Sequence, residues 1–241
     1  MRLAFISDIH GNAQALEAVL ADLKKREIDR LFVLGDLAFR GLEPERSVQM
    51  VRELDAKVIK GNADEWVVRG VQHGEVPDEV IDDMNEEKEW TTNNMSSESV
   101  YYLDQLPSEI NEDYEGVHIH GFHAAPDDLF EVVQPSSTKE TMKEKLMKND
   151  KADIYIYGHI HKPYVRHIDG KIIINTGSVG LPFDGLAQPS YAMVDIEEEG
   201  VQVSIIRTSY DLEETVEDVK SSDYPQKKLL SNLLMNASPA G

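Results

Sequence analysis

The chain has 241 residues, enough to bury a sizeable hydrophobic core, and its 41% hydrophobic and 29% charged residues are globular rather than disordered in character. With 24 Lys and Arg against 45 Asp and Glu, the formal net charge is −21, which repels polyanions and argues against sequence-blind binding to long nucleic acid. Cysteine is absent, which excludes disulfides, iron–sulfur clusters, thiolate zinc sites and a cysteine nucleophile, and leaves eight histidines as the soft ligands. No apolar run reaches the length of a membrane span, and the N-terminal MRLAFIS meets Asp8 before a signal-peptide core could form, so a soluble, cytoplasmic chain without membrane partners is expected.

Residues 2–7 read as a short buried strand, and after Gly11 the residues Leu16, Val19, Leu20 and Leu23 recur at helical spacing, with Asn12 placed as the N-cap. The pattern repeats as a strand at 30–34, a helix at 44–55 and a strand at 57–60. Such alternation predicts an α/β sheet whose functional loops lie at the carboxyl ends of strands. Residues 63–112 change character to acidic helical stretches carrying Trp66, Trp90, Tyr101 and Tyr102, read as a helical insert within a single domain spanning 1–241. A strand near 115–122, a helix near 137–148 and strands at 153–157, 164–168, 171–174, 190–196 and 201–207 follow. Two amphipathic helical segments come next, and residues 236–241 read as a frayed tail.

The chemistry concentrates at strand ends. Asp8-Ile9-His10 follows the first strand, and in an extended segment residues i and i+2 project to one side, so a carboxylate and an imidazole can grip one cation. Gly35-Asp36, Gly61-Asn62 and Gly158-His159-Ile160-His161 stand at three further strand ends. Singly, each has a plain reading as a turn, a hairpin corner or a surface pair. Four successive strand ends, each delivering a carboxylate, carboxamide or imidazole with a glycine close by, are not explained that way.

These blocks resemble the signature of the calcineurin-like metallophosphoesterases, D-x-H, G-D, G-N-H, H and G-H-x-H, in the same order over residues 3 to about 183. The D-I-H-G-N opening, Tyr157-Gly158-His159-Ile160-His161 and Asn175-Thr176-Gly177-Ser178-Val179-Gly180 look like the small stand-alone bacterial branch, which includes phosphodiesterases and diadenosine tetraphosphate hydrolases. The resemblance implies a four-layer αββα sandwich of two mixed β-sheets flanked by helices. It also implies two divalent ions, one held by Asp8, His10 and His161 and the other by Asn62, His123 and His159, with Asp36 bridging them. Oxygen and imidazole donors without sulfur suit Mn, Fe, Ni, Co or Zn. Two such ions about 3.5–4 Å apart acidify a bridging water for in-line attack on phosphorus. Residues 118–123 read His-Ile-His-Gly-Phe-His; the family pattern, in which small residues and Pro follow the ligand, favours His123, with His120 as the alternative ligand, phosphate contact or proton donor.

One departure narrows the substrate. The third block reads Gly61-Asn62-Ala63, so the histidine that protonates the leaving group in the family is missing. General acid catalysis contributes about 10²- to 10⁴-fold, and its loss costs least when the leaving group is a weak base such as a nucleotide phosphate. Asp64, Glu65, His120 and His73 are candidate replacements. Trp66 and Trp90 are candidates for stacking on a nucleobase, and Arg40 for contacting a phosphate oxygen. The reading is therefore a dimetal phosphohydrolase of small phosphodiesters or dinucleoside polyphosphates. The alternatives are a phosphomonoesterase or protein phosphatase, and a non-catalytic metal-binding scaffold.

Overall fold

Alternation along each strand sorts the side chains into layers. In β1 (Arg2–Ile6), Leu3 and Phe5 point one way and Ala4 and Ile6 the other; β2 (Arg30–Val33) divides likewise, Phe32 against Leu31 and Val33. These strands pair in parallel with each other and with β3 (Ala56–Val58), and β9 (Ser190–Glu197) and β10 (Gly200–Arg207) extend the sheet antiparallel, in the order β10-β9-β1-β2-β3. The second sheet joins β4 (Glu109–Tyr114), β5 (Val117–Phe122), β6 (Ile154–Tyr157), β8 (Lys171–Asn175) and β7 (Tyr164–Ile168) in that order, with β5, β6 and β8 parallel. This computed structural model describes residues 1–239.

The inward faces meet in one apolar layer, where Leu3, Phe5, Phe32, Ala192 and Val194 oppose Ile110, Ile119, Ile154, Ile156 and Ile174. Phe5 and Phe32 stack with ring centroids 4.6 Å apart, and truncating either to Ala is expected to cost about 3–5 kcal/mol. The outer face of the first sheet is covered by α1 (Ala13–Leu23), α2 (Pro44–Arg52), α3 (Asn62–Arg69), α4 (Ile81–Asn93) and α5 (Ser97–Gln105). On the second sheet Tyr155, Tyr157 and Ile173 pack outward against Met142 and Leu146 of α6 (Lys139–Leu146). The result is a four-layer αββα sandwich of two mixed five-stranded sheets. A separate cluster at the strand carboxyl ends joins Leu181 to α7 (Leu212–Ser221) and α8 (Lys227–Asn236). No helix among the described residues is long and apolar enough to cross a membrane.

Two expectations need correction. The helical stretch ends at Gln105, and residues 109–112 belong to β4, which pairs antiparallel with β5 through a turn at Glu115-Gly116. Ile110 is the buried side chain of that strand, so its polar surface pattern hid it. The C-terminal tail starts later than residue 236. Asn236 ends α8, and Ala237 is fully buried, with its carbonyl accepting from the Gly185 N–H; residues 240 and 241 lie outside the described residues.

Candidate metal centre

Five strands deliver their next residues to one point. Asp8 follows β1, Asp36 follows β2, Asn62 opens α3 after β3, His123 follows β5, and His159 and His161 follow β6. Backbone hydrogen bonds extend the sheet pairing into these loops, from Asp8 N to Gly35 O (3.0 Å), His10 N to Asp36 O (2.9 Å) and Gly158 N to His123 O (3.0 Å). Two glycines are required by close approach: a Cβ on Gly61 would stand 2.1 Å from Asp36 Oδ1, and one on Gly158 2.5 Å from Asp8 Oδ2. The Asp8–His10 segment is not extended as expected. Asp8, His10, Asp36, His159 and His161 all have φ between 50° and 66°, the left-handed region, and that curl turns their side chains inward.

Asp8, His10, Asp36 and His161 are all buried and place one ligand atom each within 4.8 Å of the others. His161 Nε2 is 3.2 Å from Asp8 Oδ1, and His10 Nε2 is 3.6 Å from Asp36 Oδ2. Alongside, Asn62 Oδ1 lies 2.8 Å from both His123 Nε2 and His159 Nδ1, and His123 Nε2 lies 3.3 Å from Asp36 Oδ2. Asp36 Oδ2 therefore faces both groups of donors, while its Oδ1 accepts from Ala63 N at 2.8 Å.

The donor chemistry fits cations. Nδ1 of His10 is bonded to Phe39 O, that of His161 to Leu181 O and that of His123 to Leu34 O. A carbonyl only accepts, so each Nδ1 carries a hydrogen and each Nε2 of the neutral ring presents a lone pair. With both rings neutral, the lone pairs of His10 and His161 then face each other at 3.1 Å. Acceptors aimed at acceptors in a buried site call for a cation between them.

Burial and the neighbouring carboxylates set the charges of these groups. Burial lowers His10 to about 4, and burial and then His123 lower His159 to about 4. Burial also opposes charge on His123, but the Asp36 carboxylate overrides it and raises this imidazole to about 9. Burial works against ionisation of Asp36 too, yet His123 and His10 hold the carboxylate well below its usual range.

A family model for the calcineurin-like phosphoesterase superfamily domain matches residues 1–199. The chain belongs to that superfamily. It is a metal-dependent phosphoesterase, a hydrolase. An uncharacterized protein of Methanocaldococcus jannaschii is 30% identical over 93% of this chain and 94% of its own length. The crystal structure of a metallophosphoesterase from Sphaerobacter thermophilus is similar with a TM-score of 0.76 and 25% identity, covering 98% of this chain and 99% of that one. A hypothetical protein of Pyrococcus horikoshii shares the fold, with a TM-score of 0.84 at 19% identity and 99% coverage of each chain.

Other residues singled out in the sequence lie elsewhere or are engaged. His120 is not brought to the centre of this phosphoesterase. Strand alternation puts it on the outer face of the second sheet, against Phe122 and Tyr155 and bonded to Glu109, whereas His123 lies past the strand end and turns inward. Trp66 is buried between Phe39 and Phe130 and donates to Glu75, and Trp90 donates to Asp223 and packs edge-on against Tyr224. His73 is exposed and paired with Asp78. Arg40 sits in the loop after β2 and pairs with buried Glu87.

Asp64, one of the candidate replacement acids, is engaged within the fold. Its fully buried carboxylate accepts from Asp36 N and Leu37 N at 2.8 Å and from Gly61 N at 2.9 Å, tying together the loops that carry Asp36 and Asn62. It is a brace, not a mobile acid. Ser178 Oγ, donating to Asp8 O at 2.7 Å, and Asn175 Nδ2, donating to Gly158 O at 2.5 Å, were missed as braces of the same kind. The local signal was a run of small polar residues directly after β8.

Proposed function

We propose that the protein hydrolyses small phosphodiesters or phosphoanhydrides, including dinucleoside polyphosphates such as diadenosine tetraphosphate, at a centre of two divalent ions. The observation that carries this reading is the position of Asp36 Oδ2, faced by His10 Nε2 at 3.6 Å and by His123 Nε2 at 3.3 Å from opposite ligand groups. One ion is held by Asp8, His10 and His161 and the other by Asn62, His123 and His159, and Asp36 serves both. Manganese, iron, nickel, cobalt and zinc all suit these donors. When bound, a pair of such ions lowers the pKa of a water and neutralises phosphoryl oxygens.

The chain's own residues do the rest. The backbone carbonyls of Phe39, Leu181 and Leu34 keep three imidazoles in the metal-binding tautomer. Asp36 keeps Oδ2 free by giving Oδ1 to the Ala63 N–H. Arg40 lines a small cavity that His10 also borders, and its guanidinium is the cation suited there to a non-bridging phosphoryl oxygen. At position 63 a fully buried methyl group stands where a proton donor would be; His120 and His73 are engaged elsewhere, Asp64 is held by three backbone N–H groups, and Glu65 is paired with Lys60 and Arg69. The leaving oxygen therefore departs without a proton from the protein, which restricts good substrates to those with weakly basic leaving groups.

The test is a metal-supplemented comparison of diadenosine tetraphosphate, bis(p-nitrophenyl) phosphate and an alkyl phosphomonoester. The first two are expected to be turned over and the third to be poor. Preference for the monoester would overturn the substrate class.

A further inference from the structure

Glu87, in the middle of α4, is a carboxylate with only 1% of its side chain exposed, and its side-chain hydrogen bonds go to Arg40 and Tyr224, not to the residues that meet at the metal centre. Its two oxygens have different partners. Oε2 accepts from Arg40 Nη2 at 2.9 Å and Nε at 3.3 Å, and Oε1 accepts from the Tyr224 hydroxyl at 2.8 Å. Tyr224 lies between α7 and α8, beyond the part of the chain that the family model matches. One turn along α4, Trp90 clasps the same segment, donating to Asp223 at 3.0 Å with its ring 4.9 Å from that of Tyr224. Two elements distant in sequence from α4, the loop after β2 and the α7–α8 connection, thus meet on one buried carboxylate.

The geometry points to Glu87 as a positioning residue: with Tyr224 it holds Arg40 so that the free Nη1 edge of the guanidinium receives a phosphoryl oxygen of the substrate. This rests on the hydrolase reading above, in which Arg40 contacts phosphate. Glu87 occupies the Nε and Nη2 side of the fork, and Nη1 has no protein partner among the described residues. Arg40 is 24% exposed, has φ of 68°, and lines a cavity together with His10. A free arginine has many rotamers to lose on binding an anion; one clamped by a buried carboxylate has lost them beforehand. Tyr224 fixes the plane of the carboxylate, and through it α7 and α8 influence substrate affinity without touching substrate.

The experiment is a double-mutant cycle on the full chain loaded with Mn, following bis(p-nitrophenyl) phosphate hydrolysis and, separately, calorimetric binding of inorganic phosphate. Arg40→Ala is expected to raise KM and weaken phosphate binding about 10-fold or more, as for loss of a charge-assisted hydrogen bond. Glu87→Gln and Tyr224→Phe are expected to raise KM about 2- to 10-fold with kcat within about twofold, the cost of leaving one long side chain unordered. In the Arg40→Ala background both effects should vanish. Equal effects of Glu87→Gln with and without Arg40, or no change in phosphate affinity in Arg40→Ala, would overturn the proposal. If Glu87→Gln fails to fold, Tyr224→Phe carries the cycle. A wild type that hydrolyses nothing, yet loses phosphate affinity in these variants as described, would contradict the hydrolase reading and uphold the positioning.

Discussion

The Nε2 atoms of His10 and His161 lie 3.1 Å apart, and the Nδ1 of each ring is committed to a backbone carbonyl. Two lone pairs face each other across that gap, held there by left-handed backbone at both residues. A cation held between these two donors is therefore expected to stabilise the folded chain. Adding Mn to chelator-stripped protein at 100 times its dissociation constant is worth about 2.7 kcal/mol for one site, or an increase of about 5–10 °C in Tm for a chain of this size. Differential scanning calorimetry checks this, and His161→Ala should lose most of the shift.

Asp36 faces both ligand groups, and the others each belong to one. Asp36→Asn is expected to abolish hydrolysis and lower metal content at both sites. Asn62→Ala and His123→Ala should chiefly remove the second ion, and His120→Ala, on the far face of its sheet, should leave metal content unchanged. Elemental analysis of the four purified variants decides among these outcomes.

Stability of the stripped protein should peak near pH 6.5. Burial depresses His10, and burial and then His123 depress His159, from 6.5 to about 4, so their contribution is full above 6.5 and is lost as the pH falls toward 4. His123 runs the other way: burial opposes its charge but Asp36 raises it to about 9, giving stability that is full below 6.5 and is lost as the pH rises through 9. Asp64 adds to that loss, because burial and the charge of Asp36 raise its carboxyl from 3.8 to about 7. Below 6.5 two imidazoles outweigh one carboxyl, and above it both remaining groups lose stability with rising pH. Urea denaturation from pH 5 to 9 measures the curve; stability still climbing between pH 7 and 9 would contradict this assignment.

Ala63 leads to a prediction about leaving groups. Without a protein proton for the departing oxygen, kcat/KM should fall steeply as leaving-group pKa rises through a series of phenyl and alkyl esters. Ala63→His should help the poor substrates selectively, by up to about 10²-fold where the ring reaches the leaving oxygen. Ala63 is fully buried and packs in the same cluster as Val67 and Trp66, so the variant's fold must be checked by its Tm. A flat dependence in the wild type would mean that some group already donates a proton.

The strands and the convergence of their ends were legible because short buried apolar runs stop at a small residue followed by a polar ligand, as in RLAFIS-Asp8 and RLFVLG-Asp36. The residues that hold those loops in place were not. Asp64 reads as one more acid in a charged helix, and only the fold shows its carboxylate receiving three backbone N–H groups. Tyr224 and Glu87 are 137 residues apart, and no local pattern links them. His120 was distinguishable in principle: it shares strand parity with exposed His118 and with outward-facing Phe122, so the alternation already directed it away from the inter-sheet layer.

The most direct measurement is a titration of chelator-stripped protein with Mn, recording bound metal per chain and hydrolysis of bis(p-nitrophenyl) phosphate on the same samples. The expected result is saturation at two ions per chain, with activity rising as the second ion binds and absent from Asp36→Asn. Saturation at one ion or fewer, or two bound ions with no hydrolysis of the diester, would contradict the account.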